Sequence, residues 1–279
     1  MRSGIVAVTA ALAFVTASGG AAYASSPSVP TGNDVSYPQC GAALPSGQAF
    51  GIVAVNDGLA NTTNPCLPAE IGWAQASTGT ARQPRASLYV NTADPGRGVG
   101  DWPAGNDDPT NGDHVKDPYG TCAGGNSRAC AWQYGWDLAA LDAQTRGVPG
   151  PGHYQWWLDV ETINSWQSST QENRADLEGM AAYFRHLGGT VGIYSTPRQW
   201  DPIVGTVPST SPLYRLPDWI PGAKTLSQAT KNCRQAPLTR GGTVTVAQWA
   251  TASASPPSAT PPAANRDVSC RSLPAKTGK

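Results

Sequence analysis

The sequence predicts an α/β chain folded as a single-domain, irregular TIM-like (β/α)5β3 barrel. Three observations predict it. Strand-like runs alternate with helical or loop stretches through the first two-thirds of the chain, the pattern of parallel β/α units. The last third holds strand-like runs at 216–220, 243–249 and 266–270 with no good helix between them. The strands also end on polar residues, at the tips where barrels of this class place their chemistry.

The chain opens with a basic residue, Arg2, an apolar run at 5–15 too short to span a bilayer, and Ala22-Tyr23-Ala24, a small-x-small cleavage site. Residues 1–24 are therefore expected to be a secretory signal peptide, followed by a Ser/Pro-rich lead-in over 25–31. Removing 24 of 279 residues leaves 255, the size of one barrel. No later run is long and apolar enough to cross a membrane, so a soluble, secreted monomer without a membrane partner is expected. Lys+Arg and Asp+Glu both number 19, so there is no basic excess of the kind nucleic acid requires.

Six cysteines in an exported chain read as disulfides. Of the possible pairings, the sequential set (Cys40–Cys66, Cys122–Cys130, Cys233–Cys270) closes loops between neighbouring elements. There is no Cys-x-x-Cys and no His-Glu-x-x-His, so neither a metal nor a cofactor is expected.

In order, the first strand is Gly32-Asn33-Asp34-Val35-Ser36, broken by Pro38. The second, residues 50–56, is nearly all apolar, as a strand buried on both faces should be. A short helix over 68–76 follows, with Pro68 in its first turn. The third strand covers 87–92. A long loop over 94–130 comes next, rich in Gly, Pro, Asp and Asn, with Trp102, His114 and Tyr119 as candidate contacts. Its acids Asp107, Asp108, Asp113 and Asp117 lack EF-hand spacing and read as turn formers. A helix over 131–146 carries Trp132 and Trp136 on a stripe that reads as core.

The fourth strand, expected over 153–162, ends in Asp159-Val160-Glu161. Strand alternation places Trp157, Asp159 and Glu161 on one face and Trp156, Leu158 and Val160 on the other, with the two acid Cα atoms about 6.6 Å apart. Paired acids are costly to hold charged, so one should have a raised pKa and donate a proton, as glycosidic cleavage requires. A helix over 170–187 stops at Gly188-Gly189. The fifth strand covers 190–195, and a helical turn over 197–203 follows. In the last third, the Pro/Ala/Ser-rich run 252–264 precedes the final strand, and residues 271–279 read as a disordered tail. A barrel would gather Asp34, Asn56, Asn91, Asp159, Glu161, Ser195, Asp218, Gln248 and Asp267 into one acidic bowl.

These pieces together resemble the glycoside hydrolase family 25 lysozymes. Gly32-Asn33-Asp34-Val35-Ser36-x-x-Gln39 is similar to the family's first strand. Trp157-Leu158-Asp159-Val160-Glu161 is similar to its acid motif on the fourth. Gly192-Ile193-Tyr194-Ser195 followed by Trp200, then Trp219-Ile220, Ala247-Gln248-Trp249 and Asp267, resemble the fifth to eighth strands. The resemblance spans residues 32–270. It implies a (β/α)5β3 barrel cleaving the β-1,4 bond of peptidoglycan, with cell-wall glycan as partner. It implies Glu161 as general acid, Asp159 stabilising positive charge or orienting an acetamido group, and Asp34 and Asp267 shaping the acidic floor. Tyr194, Asn56, Asn91, Trp219 and Gln248 would face substrate. Two departures stand out: Val55-Asn56-Asp57-Gly58 replaces a Lys-Ala-Thr-Glu-Gly-like run, and Tyr89-Val90-Asn91 replaces Tyr-His-Phe. They motivate an alternative, a non-catalytic carbohydrate-binding barrel of the same fold. A Ser–His–Asp enzyme is disfavoured because no Gly-x-Ser-x-Gly elbow exists.

Overall fold

The computed structural model describes Met1 and residues 29–98, 100–250 and 263–274. The expected signal segment beyond Met1, residues 252–262 of the Pro/Ala/Ser-rich run, and residues 275–279 of the expected tail lie outside the described residues.

Eight strands close into one barrel in chain order. They are β1 (Thr31–Val35), β2 (Gly51–Ala54), β3 (Ala86–Asn91), β4 (Gln155–Asp159), β5 (Thr190–Tyr194), β6 (Pro217–Ala223), β7 (Thr243–Trp249) and β8 (Asn265–Ser269). Neighbours from β1 to β7 are parallel, whereas β8 runs antiparallel to both β7 and β1 and closes the ring. Helices α1 (Leu67–Gln75), α2 (Arg128–Ala140), α3 (Thr170–His186) and α4 (Pro197–Ile203) follow β2, β3, β4 and β5.

One expectation is corrected here. A helix, α5 (Leu226–Asn232), does lie between β6 and β7. Two turns are too short to show an apolar repeat, and only Ala229 of α5 is buried. What starts it is a cap: the Thr225 hydroxyl accepts the N–H of Gln228. The helix predicted over 131–146 also differs. It begins three residues earlier, where Ser127 caps it, and ends in a π turn, Leu141–Thr145.

Strand alternation sorts the core into two layers. Trp156, Leu158 and Val160 pack outward with Val53, Val90 and Phe184 under the helices. Trp157 points inward, where Ile52, Trp219 and Val246 fill the barrel with Tyr89 and Tyr194 against them. Trp132 and Trp136 stack with ring centroids 5.4 Å apart and are buried in the helical layer.

The paired part of β4 is shorter than the 153–162 strand expected. His153 belongs to a 3-10 turn, and pairing stops at Asp159. Past it the chain turns: the N–H of Asn164 donates to the Glu161 carbonyl at 3.2 Å, and Trp166 Nε1 donates to the same oxygen at 2.8 Å. Glu161 therefore stands on a turn above the strand.

The long connection is held down by the Cys122–Cys130 disulfide, and Cys40–Cys66 and Cys233–Cys270 join the other cysteines. Its acids build turns, as their spacing suggested. Asp108 Oδ1 accepts the N–H of Thr110 at 2.8 Å, and Asp117 Oδ1 accepts that of Tyr119 at 2.6 Å. After β8, the Leu273 N–H donates to the Arg82 carbonyl at 3.1 Å, and Leu273 packs on the inner core.

Candidate active site

Asp34, Asp159 and Asp267 line the barrel interior from β1, β4 and β8, and all three are buried. Glu161 sits above them, half-buried on its turn. Each acid is held by neutral donors. Gln248 Nε2 donates to Asp34 Oδ2 at 2.9 Å and Asn265 Nδ2 to Oδ1 at 3.1 Å. Asn91 Nδ2 donates to Asp159 Oδ2 at 2.8 Å, and Trp219 Nε1 donates to Asp267 Oδ1 at 2.8 Å. Gln199 Nε2 donates to Glu161 Oε1 at 3.0 Å. The Tyr194 hydroxyl donates to Gln248 Oε1 at 3.2 Å, which fixes the amide that faces Asp34. Trp219 packs edge-on against Tyr194 and Trp157, at 4.4 and 5.9 Å between ring centroids.

The electrostatics follow from crowding acids in a dry barrel. Burial pushes Asp159 well above the usual carboxylate range; the charge of Glu161 pushes the same way, the Asn91 bond opposes, and the charge of Asp34 adds a little. Burial also raises Asp34, against the hydrogen bonds from Gln248, Asn265 and Asp267. Asp267 is raised well above its ordinary value by burial, then by the charge of Asp34 and their mutual hydrogen bond. Two carboxyls this close in a dry interior resist ionising together, and burial weighs against the charge of both.

Some residues expected in the bowl are elsewhere. Asn56 is buried and turned toward the π turn after α2. Its Nδ2 donates to Asp142 Oδ1 at 2.9 Å and to the carbonyls of Ala60 and Thr62 at 3.2 Å. Its Oδ1 accepts the backbone N–H of Asn91 at 2.8 Å. Asp142 in turn pairs with Arg146 at 2.7 Å. A bonded chain thus runs from Arg146 through Asp142, Asn56 and Asn91 to Asp159, and the two departures at Asn56 and Asn91 touch each other. Ser195 is buried and bonds the Val160 carbonyl at 2.7 Å. Asp218 precedes inward-facing Trp219 and takes the N–H of Leu238 at 2.9 Å.

Sequence reasoning missed Tyr89, Gln199 and Asn265. Tyr89 shares the inward face of β3 with Asn91, and the charges of Asp34 and Asp159 both act on its hydroxyl. Strand parity could have placed it there; nothing in the sequence aims Gln199 at Glu161. Among the described residues, no group of three or more His, Cys, Asp or Glu is arranged to hold a metal ion. A groove of about 760 Å³ lies by Thr31, Asn33, Trp249 and Arg266 and includes none of the four acids.

Known proteins match in parts. A family profile described as Lysozyme-like protein 1 matches residues 152–220, the stretch from before β4 into β6. A "Probable GH family 25 lysozyme 2" from Dictyostelium discoideum is 39% identical over 49 residues, 18% of this chain. The match spans 23% of that relative, about a quarter of its length. A bacterial lysozyme from Streptomyces coelicolor superposes with a TM-score of 0.52 at 14% identity, covering 88% of this chain and 94% of that one. A muramidase from Trichobolus zukalii gives 0.50 at 14% identity, covering 86% and 93%. The superpositions over most of the chain and the profile match across the acid-bearing segment agree: this chain carries a barrel domain of the GH25 lysozyme-like fold.

Proposed function

We propose that the bowl hydrolyses a β-1,4 glycosidic bond of peptidoglycan outside the cell. The observation that carries this reading is the convergence of Asp34, Asp159, Asp267 and Glu161 over one aromatic floor. Glu161 is the proton donor to the leaving oxygen. It stands on a turn at the mouth, half-exposed, where a polymer can reach it. Asp159 lies deeper, and its Oδ1 has no donor among the described residues. Burial disfavours its charge. A sugar developing positive charge at the anomeric carbon would reverse that, so ionised Asp159 is stabilised most at the transition state. Unpartnered Oδ1 can alternatively take the N–H of an acetamido group. Tyr194, partly exposed, supplies a ring face for the sugar, and buried Trp219 backs it from below. Three disulfides suit an oxidising compartment.

The test is release of reducing ends from purified peptidoglycan. Wild type is expected to release them, and Glu161→Gln to fall by about 10²–10⁴-fold with its fold intact, because only the transferable proton is lost. Full turnover by Glu161→Gln would remove Glu161 from the role. Saturable binding with no release by wild type would assign the bowl to glycan binding instead.

A further inference from the structure

Glu161 lies beyond the last paired residue of β4, so the sheet alone does not fix its carboxylate. Two contacts do. Trp166 Nε1 holds its backbone carbonyl, and Gln199 Nε2 reaches its Oε1 at 3.0 Å. The Gln199 amide is itself oriented. Thr196 caps α4, taking the N–H of Gln199 on its hydroxyl oxygen at 3.3 Å, while the same hydroxyl donates to Gln199 Oε1 at 2.9 Å. With its oxygen engaged by the cap, the amide has only its NH₂ to present to Glu161. The cap of one short helix therefore sets the direction of the hydrogen-bond donor that reaches Glu161.

We infer that Gln199 is a positioning residue for Glu161, coupling the α4 cap to the proton donor of the site. This rests on the reading of Glu161 as general acid. The donor engages one carboxyl oxygen and holds one rotamer, so it sets where the proton points, and putting a like charge in its place makes the ionised form costlier. A purely structural role for Gln199 would reside in the cap alone.

Gln199→Glu separates the two roles, because a carboxylate oxygen still accepts from Thr196 while the donor becomes a like charge. In Gln199→Glu the alkaline limb of the kcat/KM profile on peptidoglycan is expected to move up by about one pH unit. The plateau kcat should drop about tenfold with KM changed less than twofold. Gln199→Met, which loses the donor without adding charge, should move the limb the same way by less, and it answers the question if Gln199→Glu fails to fold. Carbon NMR titration of the labelled glutamates, four in wild type and five in Gln199→Glu, assigned with Glu161→Gln in each background, follows Glu161 without requiring turnover. Its midpoint should rise in Gln199→Glu relative to wild type. An unmoved midpoint and unmoved limb would overturn the inference and leave Gln199 as a cap. Inactive wild type with a moved midpoint would sink the hydrolase reading while keeping the contact.

Discussion

Asp159 occupies a position that works against folding. It is buried, it lies near the charges of Glu161 and Asp34, and one of its oxygens is unpartnered. A carboxyl whose folded pKa is raised costs stability once pH exceeds its unfolded value, since unfolding then lets it ionise. Asp159→Asn removes that cost and keeps the shape. The variant is expected to melt at a higher temperature than wild type at pH 7 and at nearly the same temperature at pH 3. Its hydrolytic rate should fall by at least about a hundredfold. Differential scanning calorimetry at the two pH values, beside the reducing-end assay, checks both halves. Asp159 and Trp157 were legible as inward-facing from strand parity alone. The outward turn of Asn56 was not, because its partner Asp142 is 86 residues away on a π turn that no periodicity announces.

Elements meet here through missing side chains. A Cβ on Gly192 of β5 would lie 2.4 Å from Trp157 Cζ3, so the inner tryptophan fits only beside a glycine. A Cβ on Gly135 of α2 would lie 1.9 Å from the Asp176 carbonyl of α3, bringing those two helices into backbone contact. Gly192→Ala should therefore cost about 1–3 kcal/mol in urea unfolding, through strain in the barrel interior. The π turn is secured differently. The Arg146 side chain is 9% exposed and that of Asp142 is 1% exposed, and Arg146 also reaches Thr63 and the Ala60 carbonyl. Arg146→Met leaves Asp142 buried without its cation, and about 3–5 kcal/mol of stability should be lost, again read by urea unfolding. The repeating β/α pattern predicted β1 to β8 well because buried strands are marked by their own composition. The α5 helix escaped because a polar two-turn helix is specified by its cap.

Among the described residues, buried carboxyls are common and cations rarely accompany them. Burial pushes Asp94 and Asp142 up to about 6, Asp137 to about 7 and Asp218 to about 8. Each favours the protonated form in the fold. Each therefore lowers stability as pH rises from its unfolded value near 4 through these folded values, by about 1.4 kcal/mol per pH unit per group in that window. The protein is expected to be more stable at pH 5 than at pH 8, and Asp218→Asn should flatten the difference; urea midpoints at the two pH values test this. At this scale too, the (β/α)5β3 architecture was readable from the sequence, whereas the acid balance was not, since equal counts of acids and bases say nothing about which are buried.

The antiparallel closing strand has a mechanical consequence. Thr31 at the start of β1 pairs with Val268 near the end of β8, so both outer ends of that seam lie side by side. A load applied to the two ends would peel the seam one rung at a time instead of shearing all its rungs together. The Cys233–Cys270 bond then carries the force past β8, so the span between those cysteines stays clamped while the remainder of the barrel pays out.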